Sequence, residues 1–192
     1  MARLRLVVLL SQALLLVSTL ASGSEPGQAP ALSAAENSTF SRVIGKAFQA
    51  PLVEADLDSV RSVCQHYTTR TGIRMSRAEV TALGDILTLT YRYNVELGRC
   101  LLLSLDSGQP FVSKAYGELA QQMVATGYAR KGKIDADRSL LVSTARRTRS
   151  TNEFGEEFAP LTRGSILASN AHLETVKPNF DKIAQVLGAF AN

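Results

Sequence analysis

The 192-residue sequence predicts a mainly α-helical bundle of five to six helices carrying one disulfide and preceded by a secretory leader. Three observations carry that expectation. Apolar residues recur at spacings of three and four along most of the chain, as one face of a helix requires. Ser33 with Glu36 and Ser76 with Glu79 stand at capping-box spacing ahead of two such runs. Two cysteines, Cys64 and Cys100, form an even count behind an export signal, where oxidation is the rule.

Residues 1–23 follow the tripartite pattern of a signal peptide: Arg3 and Arg5, an apolar run from Leu6 to Leu20, then Ala21, Ser22 and Gly23, with cleavage after Ala21 or Gly23. The apolar run is shorter than the ~20 residues of a spanning helix. Residues 24–32 are a Ser-, Gly- and Pro-rich lead-in, and residues 33–192 are read as one helical domain. Its first helix opens at Ser33, carries Phe40, Val43, Ile44, Ala47 and Phe48 on one face, and closes at Pro51. A second fits Glu54 to about Arg70, with acids Glu54, Asp56 and Asp58 at its positive end and a stripe of Leu57, Val60, Cys64 and Tyr67, before Gly72.

The stretch from Ser76 to Ser107 supports two readings. Charged Asp85, Arg92, Glu96 and Arg99 fall on one side of a helix, whereas Leu87 to Val95 alternates apolar and polar as a strand does. One long helix, with breaks possible at Gly84 or Gly98, is preferred; an α+β fold with a hairpin at about 86–106 is the alternative. Pro110 fits a first helical turn ahead of Val112, Tyr116, Leu119 and Met123, and Gly127 ends that helix. Leu140 to Ala145 fit a short helix or a strand. Thr151 to Ala171 reads as an ordered loop, and Pro178 opens a last helix with Phe180, Ile183, Leu187 and Phe190 on one face.

The formal charge of +4 falls to +2 once Arg3 and Arg5 leave with the signal peptide, too little to make nucleic acid a natural partner. Nucleophile-elbow, zinc-protease, P-loop and dinucleotide motifs are missing, so no cofactor or metal is expected. His66 and His172 are the only imidazoles. The pairs Asp56/Asp58 and Asp135/Asp137 diverge on a helix. Glu153, Glu156 and Glu157 lack the alternation of a calcium loop.

The most uneven charge lies between Arg130 and Arg149, where Arg130, Lys131, Lys133, Arg138, Arg146, Arg147 and Arg149 face only Asp135 and Asp137. Arginine suits carboxylate and phosphate partners. The sequence is therefore read as an exported, non-enzymatic binding protein of inhibitor, immunity or adaptor type, in the periplasm or extracellular space. Its partner is another protein or an anionic envelope component, and the mature chain has no stable membrane span. The competing readings are a solvated basic face neutralised by Glu153, Glu156 and Glu157, and a small secreted enzyme using Glu79, Asp85 or Glu96 in a helical cleft.

Overall fold

A computed structural model describes residues 32–151, 155, 157–158 and 160–190, with the side chains of Glu79, Ser150 and Phe158 outside the description. The expected leader at 1–23, nearly all of the lead-in, and Glu153 and Glu156 lie outside the described residues. What is described is mainly helical: α1 (Ala34–Ala47), α2 (Glu54–Thr71), α3 (Arg77–Ser107), α4 (Lys114–Ala125), α5 (Lys131–Arg146) and α6 (Arg163–Gly188). Between α5 and α6, β1 (Ser150–Thr151) pairs antiparallel with β2 (Glu157–Phe158). Contacts group Leu89–Thr175 into one compact unit, the middle unit, and the described residues before Leu89 with those from Val176 into another, the flanking unit.

In the flanking unit the Ser33–Glu36 box forms: the Ser33 hydroxyl accepts from the Glu36 amide at 3.3 Å and the Glu36 carboxylate accepts from the Ser33 amide at 2.6 Å. The face of α1 anticipated from its spacing is the buried one, from Phe40 to Phe48. On α2, Leu57, Val60, Cys64 and Tyr67 are buried as their spacing requires, and Val63 joins them. Gly72 ends α2 with φ 72°, a left-handed conformation that costs a residue without Cβ little. Phe48 meets Phe180 edge-on, ring centroids 4.7 Å apart. Asn179, fully buried, ties the α1–α2 turn: its Oδ1 accepts from the Leu52 amide at 3.0 Å, and its Nδ2 donates to the carbonyls of Ala47 and Ala50, both at 2.9 Å.

The hairpin alternative does not form, because α3 runs unbroken through both Gly84 and Gly98. Its buried positions in the middle unit, Thr90, Tyr93, Asn94, Leu97, Cys100 and Leu101, repeat at threes and fours, so the alternation in LTLTYRYNV is incidental to a helix. The core of this unit gathers around Tyr93, Leu97, Tyr116, Met123, Leu141 and Ile166.

Four expectations are corrected. The disulfide is not formed: Cys64 and Cys100 are both free and buried. Cys64 faces the flanking core, and Cys100 faces the middle core, where its Sγ accepts from the Ser113 amide at 3.3 Å. Pro110 stands ahead of α4 rather than in it, because Ser113 is the true N-cap, its hydroxyl accepting from the Tyr116 amide at 3.0 Å. The supposed loop up to Ala171 is helical from Arg163, and Pro178 lies inside α6 instead of opening it. The start of α6 is set by a reciprocal cap: the Thr162 hydroxyl accepts from the Ser165 amide at 3.1 Å and the Ser165 hydroxyl from the Thr162 amide at 3.0 Å. Serine here does what glutamate does in the usual box.

Candidate functional site

The basic segment anticipated between Arg130 and Arg149 is a helix. Ile134, Asp137, Leu140, Leu141, Thr144 and Ala145 are buried on one side of α5, which leaves Lys131, Asp135, Arg138, Val142 and Arg146 exposed on the other. At 100° per residue, positions 131, 138 and 146 fall within one arc, and a rise of ~1.5 Å per residue spreads them over about 22 Å. The stripe is continued at each end by Arg130, the N-cap residue, and Arg147, the C-cap residue.

The structure divides the seven bases of the segment. Lys133 is not part of the exposed stripe: its Nζ is 2.8 Å from Asp137 Oδ2, and both side chains are nearly buried, at 13% and 12% exposure. Arg149 reaches Glu157 across the β1–β2 ladder at 3.4 Å, both groups being exposed. Arg130, Lys131, Arg138, Arg146 and Arg147 make no ion pair among the described residues. Neutralisation by the neighbouring acids, the bland reading of this segment, therefore extends only to Arg149 among the described groups.

A buried polar network seats α5. The Tyr93 hydroxyl donates to Asp137 and lies 3.1 Å from the Tyr116 hydroxyl. Burial, with the Asp137 charge beside it, pushes the Tyr93 phenol far above its ordinary range, so it keeps its proton and acts as donor. Burial likewise raises Tyr116. Lys133 Nζ sits 5.6 Å from the centre of the Tyr93 ring as well as on Asp137, so its charge has two partners in the protein interior. Asp135 and Asp137 thus diverge, the first to solvent and the second into the core.

Two features at the helix ends run against intrinsic preference. Arg130 and Lys131 lie at the positive end of the α5 dipole, which has no acid in its first turn. Arg147 has φ 52°, a left-handed conformation that glycine usually supplies. A cation at the positive end costs a few tenths to about 1 kcal/mol of helix stability, and a side chain with a Cβ in the left-handed region at Arg147 costs about 1–2 kcal/mol, although its charge suits the negative end of the helix.

Asp85 is exposed, and Glu96 accepts from the Ser113 hydroxyl at 3.1 Å on the flank of α3. The side chain of Glu79 is outside the described atoms. His66 is largely exposed, with Nδ1 2.7 Å from Glu36 Oε1. Among the described residues no three His, Cys, Asp or Glu side chains gather as a metal site would need. No helix among them is long and apolar enough to cross a membrane. Comparison of the chain with protein-family models, with curated proteins and with solved structures finds no match.

Proposed function

We propose that the protein is an exported binding protein that holds an anionic partner along the exposed face of α5. The observation that carries this reading is that Arg130, Lys131, Arg138, Arg146 and Arg147 stand solvent-exposed without an acidic partner among the described residues. Arg130 and Lys131 sit where the helix dipole disfavours a cation, and Arg147 sits where the backbone disfavours any residue with a Cβ. Residues that break a local rule without a gain in the folded chain are the ones expected to serve something outside it. The stripe also rests on a rigid support, because Asp137, Lys133 and Tyr93 lock the opposite side of the same helix. Guanidinium groups spaced along about four turns suit an extended acidic surface, an acidic protein segment or an anionic envelope polymer, better than a compact anion.

The test uses the mature protein as bait in envelope and secreted extracts, at low salt and again at high salt. A stoichiometric partner that is lost in salt, and lost also to Lys131→Ala/Arg138→Ala/Arg146→Ala, supports the reading, since exposed charge pairs are screened beyond a Debye length of ~8 Å at physiological ionic strength. Capture that survives both the salt and the triple substitution would refute it. Export is checked separately by N-terminal sequencing of the secreted chain, which should begin at Ser22 or Ser24.

A further inference from the structure

Within the middle unit, leucine and isoleucine side chains of α3, α5 and α6 wall a cavity whose polar positions include Asn94, Asn170 and Asp137. Asn94 is 1% exposed. Its Nδ2 donates to the Thr90 carbonyl at 3.0 Å, which fixes the amide, because the reverse orientation would set two oxygens against each other. Asn94 Oδ1 is left buried without a hydrogen-bond partner. Asn170 Oδ1 is buried and unpartnered too. It lies against Gly98, one turn along α3 from Asn94, where a Cβ would collide with it. Glycine at 98 therefore admits the second amide oxygen to the cavity wall.

Buried acceptors of this kind are rarely left alone in folded proteins, and each calls for a donor. Of the other polar lining groups, Ser169 carries a hydroxyl that can donate or accept, and Asp137 is already satisfied by the Tyr93 hydroxyl and paired with Lys133. The cavity thus wants hydrogen-bond donors and no further charge, since a second cation beside Lys133 would go unpaired. Its volume of about 20 Å³ admits only the tip of a ligand.

We propose that this cavity binds an uncharged primary carboxamide, whose two N–H groups donate to Asn94 Oδ1 and Asn170 Oδ1 while its alkyl end rests on the apolar wall. The same group is carried by a free small amide and by a glutamine side chain, and the test separates these sources. Uniformly ¹⁵N-labelled protein is titrated with propionamide, N-acetylglutaminamide and N,N-dimethylpropionamide, following the side-chain amide signals of Asn94 and Asn170 and the backbone signal of Gly98. Saturable shifts with either primary amide and none with the dimethyl compound support the proposal, and the tighter of the two names the source. Asn94→Leu should then weaken binding by at least about tenfold, the loss expected of one buried hydrogen bond. Gly98→Ala, which displaces Asn170 without removing any polar group, should also weaken it. Equal binding of the dimethyl compound, no saturable shift up to tens of millimolar, or a cavity that holds only ordered water would overturn the proposal.

Discussion

Acid should remove a defined part of the stability of the flanking unit through one carboxylate. Glu36 is 3% exposed. Burial pushes its carboxyl upward, but hydrogen bonds from Arg70, the Ser33 amide, His66 and the Ser33 hydroxyl outweigh that and hold it down at about 2 against an ordinary 4.5. Arg70 grips it in a fork, Nε to Oε1 at 3.2 Å and Nη2 to Oε2 at 2.8 Å. A folded-state value below the unfolded one means that the stabilisation is complete above pH 4.5 and drains away as the pH falls from 4.5 to 2. At ~1.4 kcal/mol per unit the full difference is about 3 kcal/mol, and because Arg70 and His66 are themselves 34% and 61% exposed, about 2 kcal/mol is the expected size. Glu36→Gln keeps the capping geometry and cannot titrate. Urea denaturation of both proteins at pH 7, 5, 3 and 2 should show the wild type ahead by about 2 kcal/mol at pH 7 and 5, with the gap closing at pH 3 and 2. Asp56, also held below its ordinary range, chiefly by the Lys46 hydrogen bond, titrates in both proteins and cancels in the difference. A gap that stays constant from pH 7 to 2 would refute the reasoning.

Arg147→Gly should raise stability by up to about 1 kcal/mol in thermal unfolding by relieving the left-handed Cβ contact at the end of α5; a lower melting temperature would contradict this. Asn179→Ala strips the buried Leu52 amide of its acceptor and should cost about 2–4 kcal/mol. Asn179→Asp should cost more, because a carboxylate would face the Ala47 and Ala50 carbonyls; hydrogen exchange at Leu52 reports the loosening in both. Lys133→Met alone should cost about 3 kcal/mol, for it leaves Asp137 charged and nearly buried, whereas Lys133→Met/Asp137→Leu should recover most of that loss in urea. Equal destabilisation by the single and the double substitution would mean that the Lys133–Asp137 pair carries no coupling energy.

Where apolar spacing and capping agreed, the helices were legible: α1, α2 and the long α3 follow from Ser33 with Glu36, from the Leu57–Tyr67 stripe, and from charges kept to one side between Asp85 and Arg99. The N-terminal half of α6 was not, because its inward residues Ile166 and Leu173 are sparse among Gly164, Ser165, Ala168 and Ser169, and its cap uses serine at the third position. Proline inside a helix normally costs about 3 kcal/mol, so Pro178 reads as a beginning; packing of Val176 and Phe180 and the bonds of Asn179 hold the helix through it. The exposed stripe of α5 was legible as charge but not as geometry, since only burial shows that Lys133 leaves it. Tyr93 and Asp137 are 44 residues apart, and the cavity beside them joins Asn94 to Asn170; pairs so distant carry no local signal. The disulfide failed for a related reason, because an even count of cysteines says nothing about which core each one faces.

Those two thiols give each unit its own intrinsic reporter. Cys64 is sealed in the flanking core, where burial pushes its thiol up to about 11, and Cys100 is sealed in the middle core. Neither can meet an alkylating reagent until the packing around it opens, and a thiolate, not a thiol, is what reacts. Their sheltering also protects them from oxidation for as long as the fold stays closed. A single labelling time course, read by peptide mass at each cysteine, would therefore measure the opening of the two units side by side in one unmodified molecule, and show whether they come apart together or in turn.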